Sequence, residues 1–178
     1  MFQQIIDFWF EEIEPALWWK KDDAFDALLI ERFSEIHARA ARCELFAWRA
    51  EAEGWLAEII VLDQFSRNMF RDSARAFAYD AMALILSQEA IACGADEALT
   101  PVQRSFLYMP FMHSESLQIH EIAVDLFSQE GMQGNLDFEL KHKEIIEQFG
   151  RYPHRNKVLG RQSTAEEVEF LTGPGSSF

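Results

Sequence analysis

Apolar residues recur at the period of an α-helix along almost the whole chain. They fall three and four positions apart, which places them on one face of each predicted helix. The clearest runs are Phe2, Ile5, Ile6, Trp9, Phe10 and Ile13; Phe25, Leu28, Leu29, Phe33, Ile36 and Ala40; and Leu56, Ile59 and Ile60. The strict alternation of apolar and polar residues that indicates β-strands is not convincing anywhere. The pattern therefore predicts an all-α protein.

Capping and helix-breaking residues divide this pattern into about eight helices. An almost continuous apolar helix is predicted over 74–93 and is stopped by Gly94. A capping box at Thr100 and Gln103 opens a helix to about residue 108, which Pro110 kinks or ends. Further breaks are expected near Pro15, at Ser114, at Gly131 and between Gly150 and Ser163, where Ser163-Thr164-Ala165-Glu166 predicts a last capping box. Short connections without a linker predict one domain over 1–178, built as an antiparallel helical array.

Composition and charge narrow the class of protein. Nearly half of the 178 residues are apolar, so the chain is long enough for one sizeable core. Its net charge of −14 disfavours nucleic acid as a partner. The longest apolar run, Ala81–Leu86, is far short of the roughly 20 residues that span a bilayer. Cys43 and Cys93 lie in helical patterns without metal-type spacing, which predicts reduced core thiols in a cytoplasmic protein.

Several polar residues lie where the pattern calls for apolar ones. Asp63 and Arg67 continue the stripe of the helix around residue 60, and Asp80 is the only charge over 76–86. Buried charges need partners, so both aspartates are expected to be largely inaccessible and to contact an arginine. His142 takes an apolar position between Phe138 and residue 145. It is either a hydrogen-bonded core histidine, the more common case, or a ligand or proton-transfer group.

A basic segment stands out from the acidic background. Residues 148–165 carry Arg151, His154, Arg155, Lys157 and Arg161 but no acidic residue. These arginines either neutralise buried carboxylates and cap helix ends, or form an anion pocket. In the second interpretation they act together with Arg67 and Arg71.

The break after Pro110 adds a second group of polar residues. His113 and Glu115 follow the proline, where a non-helical turn aims side chains into a cleft or simply starts the next helix. The sequence contains no known catalytic motif and no complete metal-binding motif. Glu139 and His142 form one Glu-x-x-His, whereas a di-iron bundle needs two. No metal and no cofactor is therefore expected, and the sequence assigns no reaction.

Three blocks, Leu62–Asn68, Tyr108–Glu115 and Phe149–Asn156, resemble in this order the bacterial family called domain of unknown function 924. The opening segment 7–10, the pair Trp18-Trp19, the segment 159–164 and the ending resemble it too, so the resemblance covers essentially the whole chain. It implies an all-helical, tetratricopeptide-like fold of stacked helical hairpins and implies no activity. The chain departs from the family pattern at Ser66, Met109, Met112 and Tyr152, where proline, leucine, glutamate and phenylalanine are common.

Two functional hypotheses follow. In the first, the polar blocks converge on one aromatic-lined cleft that binds a small anionic or polar ligand. Its expected residues are Asp63, Arg67, Asn68, Arg71, His113, Glu115, His142, Arg151, His154, Arg155 and Arg161. In the second, the protein is an interaction module that grips a peptide in a helical groove, and the polar blocks only stabilise the fold.

Overall fold

The computed structural model describes residues 1–176, and over that range it consists of helices and loops without a β-strand. When contiguous α and π turns are joined, the described chain forms eight helices. They are α1 (residues 3–12), α2 (Asp23–Ala41), α3 (residues 52–69), α4 (Asp80–Ala92), α5 (Pro101–Met112), α6 (Leu117–Phe127), α7 (Gln133–Phe149) and α8 (Ala165–Phe170). The prediction of an all-α protein is confirmed, while the tetratricopeptide-like arrangement stays a prediction.

Helix α3 lies at the centre of the main core. Every residue from Leu56 to Ser66 is buried, and the helix packs against α1, α2, α4 and α5. Aromatic rings fill the space around it. The ring of Trp9 lies 5.5 Å from that of Phe65 and 5.7 Å from that of Phe106. A helix buried on all sides has no solvated face for a charge, so its polar residues must bind partners from neighbouring elements.

A π turn over Val61–Phe65 interrupts α3 and contains Asp63. A π turn inserts one extra residue into the helical repeat, and such turns are frequent at functional sites. Beyond α6, α7 packs on α6, and a small second core forms from Ile145, Ile146 and Tyr152 with Phe149 and Phe170.

Some local predictions are confirmed and others are wrong. The capping box at Thr100 and Gln103 is present. The last one uses Thr164 with Glu167, one residue later than predicted. The helix predicted over 74–93 begins only at Asp80, after a 3₁₀ turn over residues 74–77. Helix α5 continues through Pro110 to residue 112, although the proline removes one backbone N–H donor. Residues 105–112 are all buried, and this packing stabilises the turn.

Both cysteines are exposed, so the prediction of core thiols is wrong. Cys43 follows the last turn of α2 and has a positive φ of 59°, and Cys93 is the C-terminal cap of α4. Both lie at or just beyond the C-terminus of a helix, where the chain reaches solvent. Among residues 1–176, no helix is both long and apolar enough to cross a membrane.

Gly54 allows α3 to begin directly against the preceding 3₁₀ turn. A Cβ at this position would lie 1.9 Å from the carbonyl oxygen of Trp48, which is rigid backbone. We therefore expect Gly54→Ala to lower the free energy of unfolding by about 3 kcal/mol, measured by urea denaturation. The matched control is Gly134→Ala in α7, where an added Cβ has no neighbour within 4 Å. Equal stability of the two variants would contradict the close approach.

Candidate functional site

Tyr152 is the centre of a polar cluster that joins α3, α5, α6 and α7 to the basic segment. The side chain is fully buried, and its hydroxyl donates to the carbonyl oxygen of Met112 at 2.6 Å. Three histidine rings pack around it, with centroids 6.3, 5.8 and 5.6 Å away for His120, His142 and His154. The Tyr152 cluster comprises Asp63, Arg67, Asp80, His113, Glu115, His120, Glu139, His142, Tyr152, His154, Arg155 and Arg161.

Asp63, in the π turn of α3, is a fully buried acid of the cluster. Its Oδ1 atom lies 2.8 Å from Nδ1 of His113 and 2.9 Å from Nη1 of Arg67, and Gln64 donates to Oδ2 at 2.6 Å. Burial alone would raise the pKa of Asp63, but Arg67 and His113 outweigh it and hold that pKa well below its ordinary value. Asp63 is therefore an ionised, fully buried carboxylate, and its predicted contact with an arginine is confirmed.

His113 pairs with Asp63 as an oriented proton acceptor. Burial, reinforced by the charge of Arg67, lowers the pKa of His113 despite the neighbouring aspartate. The neutral ring donates Nδ1–H to Asp63, which leaves the lone pair on Nε2. No residue in the described range 1–176 hydrogen-bonds to Nε2, and 15% of the side chain is exposed. This is the geometry of a general base held by a carboxylate.

Two arginines share the carboxylate of Asp80. Arg67 binds both of its oxygens at 3.0 Å and also donates to the carbonyl oxygen of Asp63. Arg155 reaches the same carboxylate through Nη1 at 3.3 Å. Asp80 begins helix α4 and keeps 19% of its side chain exposed, so it is largely inaccessible and contacts two arginines, as predicted.

Arg155 is the least neutralised cation of the cluster. Its guanidinium lies between the rings of Phe77 and Tyr152, 4.6 and 4.5 Å from their centroids. The side chain is 7% exposed, and its buried Nε atom has no hydrogen-bond partner within residues 1–176. Burial, together with repulsion from Arg67, lowers the pKa of Arg155 to about 10. A buried guanidinium needs a neighbouring negative charge, and Arg155 has only a share of one carboxylate.

Glu115 and Arg161 connect the break after α5 to the end of the basic segment. Arg161 donates to the two carboxylate oxygens at 2.6 and 2.9 Å and to the carbonyl oxygen of Tyr152 at 3.1 Å. Glu115 also accepts the backbone N–H of Tyr152 at 2.8 Å. Burial would raise the pKa of Glu115, but Arg161 and that N–H lower it below its ordinary value. This pair neutralises itself and fixes the position of Tyr152.

The sequence did not indicate one fully buried pair, His120 and Glu139. Nδ1 of His120 lies 2.7 Å from Oε1 of Glu139, and neither side chain is exposed. Nε2 of His120 lies 2.8 Å from the carbonyl oxygen of Ser114, so that nitrogen carries a proton. Burial raises the pKa of Glu139 above its ordinary value. Among residues 1–176, no group of three His, Cys, Asp or Glu side chains has the geometry to hold a metal ion.

Three of the expected site residues bind elsewhere. Asn68 and Arg71 both donate to Asp26 of α2, Asn68 at 2.8 Å and Arg71 at 2.6 and 2.8 Å. Arg151 donates to the two carboxylate oxygens of Glu167 at 2.6 and 2.7 Å and thereby anchors α8. These contacts fit the structural interpretation of the arginines. The other eight expected residues lie in the Tyr152 cluster.

The cluster reaches solvent at its outer edge. Its outward charged side chains and His113 are between 15% and 28% exposed, whereas Asp63, Tyr152 and His120 are closed off. Two surface cavities, of about 540 and 590 Å³, lie elsewhere. Neither is lined by a residue of the cluster.

These features define the chain as an all-helical protein with a buried polar cluster that contains several charged residues. The chain belongs to the family described as "Bacterial protein of unknown function (DUF924)", whose model matches residues 5–175. It is also similar to a solved structure, that of the protein of unknown function ATU0120 from Agrobacterium tumefaciens. The two chains are 41% identical, the match covers 96% of each, and the TM-score is 0.91. A comparison with curated proteins finds no match.

Proposed function

We propose that the Tyr152 cluster binds a small anionic ligand, a carboxylate or a phosphate, through Arg155 and Arg67. The observation that carries the proposal is the state of Arg155, a buried guanidinium with an unpartnered Nε atom and only a share of one carboxylate. A buried cation of this kind gains most from an added anion, because charge-assisted hydrogen bonds are strong where water is excluded.

The charges of the cluster support this assignment. The three arginines of the cluster face three of its four carboxylates, since Glu139 pairs with His120, and these three are not evenly shared. Glu115 is taken by Arg161, and Asp63 is divided among Arg67, His113 and Gln64. Arg155 is left with the distant contact to Asp80. A bound anion would complete the neutralisation of Arg155 and add at least one negative charge to the cluster.

His113 gives the proposed site a second property. A bound anion raises the affinity of neighbouring imidazoles for a proton, so the ligand and a proton bind together. Because Nε2 of His113 carries a lone pair and the side chain is partly exposed, a ligand hydroxyl or a water molecule beside the anion has a proton acceptor within reach. The chemistry that this arrangement supports is proton abstraction from a small, negatively charged compound.

Replacing Arg155 by methionine tests the proposal. Methionine keeps an unbranched side chain between the rings of Phe77 and Tyr152 but removes the charge. Without anion, we expect the free energy of unfolding to change by less than about 1 kcal/mol, because an apolar substitute for a poorly paired buried ion costs little. In thermal-shift titrations with phosphate, sulfate and citrate, the wild type should gain about 2.7 kcal/mol at roughly 100 times Kd, and the variant nothing.

The matched control is Arg151→Met, which removes an arginine of the same segment from the Glu167 contact. It should lose stability and keep the response to anions. A strong destabilisation of Arg155→Met, with an anion response that survives, would instead show that Arg155 only stabilises the fold. The rival function as a peptide-binding module would then be the better explanation.

A further inference from the structure

A cavity of about 540 Å³ opens between α2 and the segment that follows α3. His37 lies at its inner end, and the rings of Phe70 and Tyr79 stand edge-on to the imidazole at 5.0 and 5.2 Å. Aliphatic side chains such as Ile30 complete the walls, and Arg75 also lines the cavity. The volume is within the range of small-molecule sites, which combine apolar walls with a few placed polar groups.

His37 offers one hydrogen-bond acceptor to this cavity. The residue is 3% exposed, its Nε2 atom lies 2.8 Å from Oγ of Ser66, and that hydroxyl donates to the carbonyl oxygen of Leu62 at 2.6 Å. A hydroxyl has one proton, so Ser66 accepts from Nε2–H, and Nδ1 keeps the lone pair. No group of residues 1–176 donates to Nδ1. Burial lowers the pKa of His37 to about 4, so the ring is neutral at pH 7.

Arg75 offers an unpaired positive charge. Its guanidinium stacks on Phe70 at 3.8 Å from the ring centroid, and within the described chain it forms no ion pair with a carboxylate. The contrast with Arg42, at the same cavity, is direct, because Arg42 donates to both oxygens of Glu44 at 2.6 and 3.0 Å. On a chain with a net charge of −14, this guanidinium stays available to an added anion.

We propose that this cavity is a second binding site, for a small aromatic carboxylic acid that carries a hydroxyl or N–H donor. The carboxylate binds Arg75, the ring packs against Phe70 and Tyr79, and the donor bonds to Nδ1 of His37. The site shares no residue with the Tyr152 cluster. It differs from that cluster because its ligand needs an apolar body as well as a charge.

Three related probes test the three contacts by calorimetry on the full chain. 4-Hydroxyphenylacetate carries the carboxylate, the ring and the donor. Phenylacetate lacks only the donor, and we expect it to bind about tenfold more weakly. Tyramine replaces the carboxylate by an ammonium group and should not bind. In long-range ¹H–¹⁵N spectra, 4-hydroxyphenylacetate should shift the Nδ1 resonance of His37, whereas phenylacetate should leave it nearly unchanged.

Substitutions separate this site from the first. Arg75 is exposed, so Arg75→Gln should fold normally and should weaken 4-hydroxyphenylacetate binding at least about tenfold. Arg42→Gln at the same cavity should change it by less than about twofold, since that arginine is already paired. Arg155→Met should leave it unchanged. Equal binding of tyramine, an unaltered affinity in Arg75→Gln, or no binding of any probe at 10 mM, about the weakest affinity worth assigning, would overturn the proposal.

Discussion

Replacing Arg67 by methionine should lower the free energy of unfolding by about 3–5 kcal/mol, the range expected when one partner of a buried ion pair is removed. Arg67 is the shared partner of Asp63 and Asp80 and also binds the carbonyl oxygen of Asp63. Without it, Asp63 keeps only His113 and Gln64, in a position where 1% of the side chain is exposed. Urea denaturation at pH 7 measures the loss.

Arg42→Met is the control, because the Arg42–Glu44 pair is exposed and should contribute less than about 1 kcal/mol. The same substitution of Arg67 should also raise the pKa of His113, since the charge of Arg67 lowers that pKa and Asp63 raises it. Imidazole NMR shifts followed against pH report this change. A stable Arg67→Met protein with an unaltered His113 titration would mean that Asp63 is not the ionised centre of the cluster.

Acidification from pH 7 to pH 5 should destabilise the protein by about 2 kcal/mol for each of three buried histidines. Burial lowers the pKa of His37 and His154 to about 4 and that of His142 to about 3. In the unfolded chain these residues bind a proton near pH 6.5. Between that pH and the folded values, the unfolded state holds more protons, so stability falls as pH falls. Glu139 acts in the opposite direction because burial raises its pKa.

His142→Gln isolates the contribution of His142 to this pH dependence. The imidazole Nδ1–H donates to the carbonyl oxygen of Phe138 at 2.8 Å, and a glutamine amide also provides an N–H donor. Urea denaturation of wild type and variant at pH 7, 6 and 5 gives the slope of the free energy of unfolding against pH. The variant should lose about 2 kcal/mol less than the wild type over this range. Identical slopes would show that the pKa of His142 is the same in the folded and the unfolded protein.

The local pattern of the sequence determined the helices. Periodic apolar residues, the capping box at Thr100 and the glycines at positions 94 and 150 act over a single turn, so they are readable without knowledge of the fold. The polar residues on apolar stripes, such as Asp63 and His142, also identified buried positions correctly. The reason is energetic, since an aspartate or a histidine in an apolar face is tolerated only with a partner.

Only the tertiary structure decided which partners these residues have. Arg67 and Arg71 are four residues apart, yet one binds Asp80 and the other Asp26 of α2, because α3 ends at residue 69 and Arg71 lies in the turn beyond it. His120 and Glu139 each resembled ordinary helix residues and became a pair only when α6 packed on α7. Such pairings depend on contacts between residues far apart in the chain, so sequence periodicity indicates which residues need a partner, and helix packing selects it.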